Sequence, residues 1–395
     1  MNIRRGKTPV NTQSSRMVLH MKKLDFSFWN PVKIYFGKNA MEKLPGLVEG
    51  DRVQVVMDQF LMTAEFVETL RKALAGKELH FFSDIVPNPT TDNVDAGAGL
   101  ARENRATTVI GIGGGSSLDV AKAVAYLAGN EGSILDYAGG GRAFGRRSTR
   151  LVLVPTTAGT GSEVTNVAVF NNPATGDKSP MVNDALYADA AVVDPVLSYT
   201  MPKNVTANTG MDAFCHAIEA YWNQNSNPAS DELGIGAMRL ILGNLERAFQ
   251  NPSDEEARQN MSLASLLAGL AFSQTRTTGA HVLSYPLGAL YHIPHGIGCA
   301  ISISQFIRLS PERENEKMTR LAKTLGFSGV AAFADHVDRL MRSLEMPVRL
   351  REIGAEKGDI DGIAETAVTR YAGQLNLSPA GMTKEAVVQL LNNIY

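Results

Sequence analysis

A chain of 395 residues is longer than one hydrophobic core usually supports, so two domains are expected. With 44% hydrophobic residues, 20% charged residues, a formal net charge of −2 and no long run of one sign, nothing favours a nucleic-acid or membrane partner. Two well-separated cysteines, Cys215 and Cys299, argue against a disulfide framework and for a reducing, cytoplasmic setting.

Residues 1–21 read as a basic, polar N-terminal extension; its apolar stretch, MVLHM, is too short for the hydrophobic part of a signal peptide. Between about residues 30 and 195, apolar β-type runs alternate with helical stretches. VKIYF and VQVVMD come first, then a helix through AEFVETLRKALAG, HFFSDI, a helix through VDAGAGLARENRA, and TTVIGIGGG. LVLVPTT (151–157) is a further buried strand, and VAVF and AAVVDP add two more. That alternation predicts an α/β domain over residues 22–198, built on a parallel sheet covered by helices. After the turn YTMPK nearly every segment has helical period, from GMDAFCHAIEAYW to KEAVVQLLNNIY. Residues 199–395 are therefore expected to form an all-helical domain.

The segment VIGIGGGSSLDVAKAVAYLA runs from a strand (Val109 to Ile112) through Gly113, Gly114, Gly115 and Ser116 into a helix beginning near Ser117. Backbone amides at a helix N-terminus suit a phosphate or pyrophosphate. A tight strand-to-helix turn also needs glycine with nothing bound, so both readings stand. Asp58, at the end of VQVVMD, is placed either to accept from the adenosine ribose hydroxyls, which would favour NAD over NADP, or to cap the following helix. The loop PTTAGTGSEVT (155–165) offers Thr156, Thr157, Thr160 and Thr165 with a serine and two glycines, suited to a phosphate or a nicotinamide edge.

GMDAFCHAIEAYW sets Asp212 and His216 four residues apart on one helix face. His281 and His295 lie fourteen residues apart; a helix carrying His281, broken near Pro286, would let the turn IPHG bring His295 back to the same point. One carboxylate and three imidazoles suit Fe²⁺ or Zn²⁺. Any one of these histidines alone reads as a hydrogen-bonded core group, and only their combination favours an ion. His292, after Tyr291 in an apolar turn, is not counted as a ligand.

Taken in order, PNPT (87–90), GGGSSLD (113–119), PTTAGTGSEVT (155–165), GMDAFCHAIEAYW (210–222) and the His281/His295 pair resemble the iron-dependent (group III) alcohol dehydrogenase family over residues 24–395. The resemblance implies a dinucleotide-binding α/β domain and a helical metal-binding domain. Between them, hydride would pass between nicotinamide and a small alcohol or aldehyde. It implies that Asp58, Asn88, Gly115, Ser116, Asp119, Thr156, Thr157, Thr160, Thr165, Val167 and Lys178 contact NAD. Asp212, His216, His281 and His295 would be the metal ligands, and the chain a homodimer.

Where many relatives read H-x-x-x-H-P-L-G, this chain has Tyr285 in HVLSYPLG, implying that Tyr285 or a water relays the proton, or that turnover is slow. SYPL, QTRTTGAH and YWNQNSNPAS resemble a branch of phosphonoacetaldehyde reductases, implying an anionic substrate met by Arg276 or by the arginines of RAFGRR (142–147). The alternatives are a general short-chain primary alcohol dehydrogenase, a lyase-type relative that uses NAD transiently, and a non-catalytic nucleotide and metal binder.

Overall fold

The computed structural model describes residues 25–138, 140–174, 178–309, 315–378 and 382–395, so the N-terminal extension lies outside the described residues. Six strands, β1 (Lys33–Phe36), β2 (Arg52–Met57), β3 (Glu78–Phe82), β4 (Thr108–Gly113), β5 (Arg150–Pro155) and β8 (Ala190–Val193), form one sheet in the order β1-β8-β5-β4-β2-β3. Every pairing in it is parallel. The central strands TVIGIG and RLVLVP are almost wholly buried because both faces are covered, which is why they read as continuous apolar runs.

Successive side chains point to opposite faces. Val109, Leu151 and Leu153 therefore enter a core with α2 (Thr91–Glu103) and α3 (Gly115–Ala128). Ile110, Ile112, Val152 and Val154 enter a second core with α1 (Ala64–Ala73) and a 3₁₀ segment at Ala40–Leu47. A short α4 (Ile134–Ala138) completes the half.

VAVF departs from expectation. It lies in β6 (Val167–Asn171), which pairs antiparallel with β7 (Lys178–Val182) as a separate two-stranded ribbon. Only Ala168 and Phe170 of this strand are buried, the alternation of a ribbon covered on one face.

From Lys203 onward the described residues form helices. These are α5 (Lys203–Trp222), α6 (Pro228–Gln250), α7 (Glu255–Thr275), α8 (Gly279–Tyr291), α9 (His295–Arg308), α10 (Asn315–Thr324), α11 (Val330–Ser343), α12 (Asp359–Arg370), α13 (Ala372–Leu375) and α14 (Lys384–Asn393). α5 is buried on nearly every side along its second half, from Gly210 to Trp222, and sits in the large core of this half beside α6, α7 and α9. α8 corrects the expected break, since it continues through Pro286 to Tyr291. Losing one N–H and crowding the preceding turn typically costs about 3 kcal/mol. Burial of Val282, Leu283 and Leu287 on both sides of the proline offsets that cost.

The two halves meet at a backbone crossing. Gly161, at φ 57°, lies so close to α7 that a Cβ there would stand 2.6 Å from Gly269 Cα, and a Cβ on Gly269 would stand 2.8 Å from Gly161 O. No helix of the described residues is long and apolar enough to cross a membrane.

Candidate active site

Between the halves lies a cavity of about 530 Å³, with the glycine turn at one end and a histidine cluster at the other. At the first end, β4 stops at Gly113 and α3 starts at Gly115. Gly113 has φ 153°, and a Cβ on it would lie 2.4 Å from Asp58 Oδ2, so both backbone and space require glycine here. Asp58 does not cap the segment after it: its side chain makes no cap bond. Its carboxylate instead accepts from Gly114 N–H at 2.9 Å and from Ser117 Oγ–H at 2.6 Å. The acid thus clamps the turn from behind. The N-terminal amides of α3 are left to face the cavity, an anion-binding arrangement.

Of the residues expected to contact a cofactor, Asn88, Gly115, Ser116, Asp119, Thr160, Thr165, Val167 and Lys178 line the cavity. Gly113, Gly114, Thr156, Thr157 and Asp58 are not among its lining residues. Thr157 packs beside Gly114, and Thr156 Oγ1 is buried without a partner.

The loop 160–167 is held against α3 by Lys122, a residue sequence reasoning passed over. Wholly buried, Lys122 donates to Ser162 Oγ (2.7 Å), Thr165 Oγ1 (3.0 Å) and Val167 O (2.7 Å). Asp119 lies 3.7 Å from the ammonium and accepts from Ser162 Oγ–H at 2.7 Å and Val169 N–H at 3.0 Å. Burial pushes the ammonium down to about 8, against the pull of Asp119 and Glu163. One lysine therefore fixes the distance between the glycine turn and the opposite wall.

At the far end three helices converge. Asp212 and His216 come from α5, His281 from the first turn of α8, and His295 opens α9. His281 Nε2 lies 3.6 Å from Asp212 Oδ1 and 3.0 Å from His216 Nε2, and His295 Nε2 lies 3.8 Å from Asp212 Oδ1. The ring of His216 stacks on Phe272 with centroids 4.3 Å apart. Two polar atoms in this cluster, Asp212 Oδ1 and His216 Nδ1, are buried with no hydrogen-bond partner. Leaving such groups unsatisfied typically costs about 1–3 kcal/mol each, more for a charge.

Burial alone would raise the Asp212 carboxyl, but the imidazoles of His216, His295 and His281 outweigh it and hold the group well below its ordinary value. Burial pushes His216 down to about 4, so its ring is neutral at neutral pH and has a lone pair to give. An ionised carboxylate, the neutral imidazoles of His216 and His295 and unpartnered buried atoms fit a divalent cation, whose charge would displace the proton that Glu219 and Asp212 favour on His281.

Glu219, seven residues beyond Asp212 on α5, supports the cluster. It is fully buried and accepts from Thr278 Oγ–H (2.9 Å), Ala280 N–H (2.8 Å), His281 N–H (3.3 Å) and His281 Nδ1–H. The carboxylate satisfies the first amides of α8 and fixes the His281 tautomer that turns Nε2 toward Asp212. Glu219→Gln is expected to weaken affinity for a divalent metal by about 10–100-fold, measured by competition with a chromophoric chelator. Unchanged affinity would make Glu219 a helix cap only.

The cavity wall beside this cluster carries Arg276, Thr277, Tyr285 and Gln374. Arg276 holds a left-handed backbone at φ 78°, and its carbonyl accepts from Asn223 Nδ2 at 3.0 Å and Thr275 Oγ1 at 3.1 Å. Its guanidinium reaches only Asn166 Oδ1, at 3.4 Å, and pairs with no carboxylate among the described residues. Tyr285 Oη accepts from Gln374 Nε2 at 3.5 Å, and Lys178 Nζ stands 5.5 Å from the centre of its ring. Burial raises the Tyr285 hydroxyl and lowers the Lys178 ammonium.

The RAFGRR arginines are placed elsewhere. Arg142 donates to Glu131 O at 2.8 Å, and Arg147 is taken up by Asp189 (2.8 Å), Ala185 O (3.0 Å) and Tyr187 O (2.9 Å). His292 caps the C-terminus of α8 in a left-handed conformation and stays outside the cluster.

Known proteins are similar to this chain in sequence and fold. Residues 31–195 match the model of iron-containing alcohol dehydrogenases, and residues 206–395 match that of the C-terminal part of the Fe-containing alcohol dehydrogenase family. The chain is 36% identical over 369 residues to long-chain-alcohol dehydrogenase 1 of Geobacillus thermodenitrificans, covering 91% of this chain and 89% of the relative. It is 31% identical to a 1-propanol dehydrogenase of Salmonella typhimurium, over 92% of this chain and 98% of the relative. The structure of a sulfoacetaldehyde reductase from Bifidobacterium kashiwanohense in complex with NAD⁺ superposes with a TM-score of 0.89 at 33% identity, covering 93% of this chain and 98% of that one. With both halves matched in order, and buried metal-type donors facing a glycine turn, the chain belongs to the iron-containing alcohol dehydrogenase family and is an oxidoreductase of alcohols and aldehydes.

Proposed function

We propose that this protein reduces a small aldehyde carrying an anionic group, using NADH, and oxidises the corresponding alcohol in reverse. Asp212, His216, His281 and His295 would hold an Fe²⁺ or Zn²⁺ ion. The observation that carries this reading is Asp212 Oδ1, buried without a hydrogen-bond partner 3.6 and 3.8 Å from the Nε2 atoms of His281 and His295, in a cavity that the glycine turn also lines. When bound, the cation supplies Lewis acidity that polarises a carbonyl oxygen or acidifies an alcohol, and the nicotinamide supplies the hydride.

The chain's own residues do the positioning. The amides of Gly115 and Ser116 at the start of α3 would hold a pyrophosphate, and Thr160, Thr165 and Val167 would line the path of the nicotinamide half. Asp58, whose carboxylate accepts from Gly114 N–H at the turn, would repel a ribose 2′-phosphate bound there, in favour of NAD over NADP. Tyr285, whose hydroxyl keeps its proton, offers a hydrogen bond to substrate oxygen and is itself oriented by Gln374.

The anionic preference rests on Arg276: a cation on the cavity wall, held by strained backbone, that forms no ion pair among the described residues and meets the charge of Asp184 only across Asn166. A structural relative at TM-score 0.89 is a sulfoacetaldehyde reductase, whose substrate bears a sulfonate. The sequence relatives that are long-chain-alcohol and 1-propanol dehydrogenases favour a neutral substrate as the second reading. Steady-state kinetics with NADH after reconstitution with iron or zinc separate the two. The proposal expects kcat/KM for sulfoacetaldehyde or phosphonoacetaldehyde to exceed that for propanal by at least tenfold, roughly the effect of one charged hydrogen bond. Equal values would overturn it.

A further inference from the structure

The tightest four-donor group among the described residues is not the one expected from sequence. Asp212, His281, His295 and Cys299 each offer an atom lying within 4.8 Å of the other three. Cys299 follows His295 by four residues on α9, so both side chains leave the same face of that helix. The thiol is completely buried, with Sγ 3.6 Å from His295 Nε2.

That separation has a chemical meaning. A sulfur at about 2.3 Å and an imidazole nitrogen at about 2.1 Å from one cation are roughly 3.1 to 3.8 Å apart as the angle between them opens from 90° to 120°, so this contact, itself within sulfur hydrogen-bond range, is short enough for both to reach one ion. A second observation points to the same spot. Asp212 is only 4% exposed, and its unpartnered Oδ1 lies 3.6 and 3.8 Å from the Nε2 atoms of His281 and His295.

We propose that Cys299 is a further donor to the cation, so that the site binds through sulfur as well as through nitrogen and oxygen. The inference rests on the metal-dependent reading above and adds to it a soft donor. On binding, the S–H bond breaks heterolytically, the sulfur lone pair goes to the cation and the proton to solvent, with no change of oxidation state. A thiolate shifts preference toward Zn²⁺ and Co²⁺ and away from hard ions such as Mg²⁺.

Co²⁺ is the probe. The full chain, stripped with chelator and loaded with one equivalent of Co²⁺, is expected to show a near-ultraviolet sulfur-to-cobalt charge-transfer band. Cys299→Ser is expected to lose that band while keeping the visible cobalt bands. Identical near-ultraviolet spectra in the two proteins, with cobalt bound in both, would overturn the proposal. X-ray absorption on the Zn²⁺-loaded wild-type protein needs no variant: a sulfur neighbour in the first coordination sphere supports the inference, and a shell of nitrogen and oxygen alone overturns it. The two readings fail differently. A protein that turns over aldehyde with a sulfur-free metal shell loses this inference and keeps the proposed function, whereas a protein that binds neither Co²⁺ nor Zn²⁺ loses both.

Discussion

Asp212→Ala is expected to lose its bound metal and to fall in turnover by about a thousandfold or more, while NADH still binds with an affinity within a few fold of wild type. The size follows from the several kcal/mol a Lewis acid contributes to an oxygen-centred transition state, at about 1.4 kcal/mol per tenfold in rate. The separation of effects follows from geography. Asp212 lies on α5, within 4 Å of all three imidazoles of the cluster, whereas the turn at Gly113–Ser116 and the Lys122 bolt belong to the sheet half. Asp212→Asn, almost the same shape, is expected to behave alike, because what it lacks is the charge that holds a dication. Metal analysis after gel filtration and a fluorescence titration with NADH check both variants. Activity that survives dialysis against chelator would remove the cation from the mechanism.

The second large effect is one of selectivity. Arg276→Gln is expected to lower kcat/KM for an anionic aldehyde by about 10- to 150-fold, since a hydrogen bond to a charged group contributes about 1.5–3 kcal/mol. The value for propanal should move by less than about threefold. The contrast is the measurement. Arg276 has positive φ and sits where α7 gives way to α8, so a change there could disturb both substrates through the backbone. Equal losses for charged and neutral aldehydes would therefore assign Arg276 to the architecture of the turn, and a loss confined to the charged one assigns it to the substrate.

Much of this arrangement was legible before any coordinates. The parallel sheet announced itself because strands covered on both faces must be apolar throughout, as in VQVVMD and LVLV. Asp212 and His216 were legible because spacing on one helix fixes spacing in space. The ribbon β6–β7 was not: the antiparallel pairing of Val167–Asn171 with Lys178–Val182 is something no apolar run reports. Nor was the continuity of α8, since a proline reads as a break unless the packing around it is known.

The supporting residues were harder still. Glu219 is one more helical glutamate until α8 lays its first amides against it, and Lys122 is one more helical lysine until the loop 160–167 closes over it. Cys299 entered the sequence reading only as one of two cysteines too far apart for a disulfide; helical spacing on α9 sets it beside His295, and only the folding of α8 against α9 brings His281 to the pair. In each case the local pattern is ordinary, and the meaning comes from an element far away in the chain.

The crossing of Gly161 and Gly269 bears on how this architecture can be rebuilt. Exchange of a sheet half or a helical half between relatives keeps the two pieces in register only if both donors bring a glycine to that crossing. A methyl group on either side would force the backbones apart, widen the gap between nicotinamide and carbonyl, and leave each graft well folded but idle.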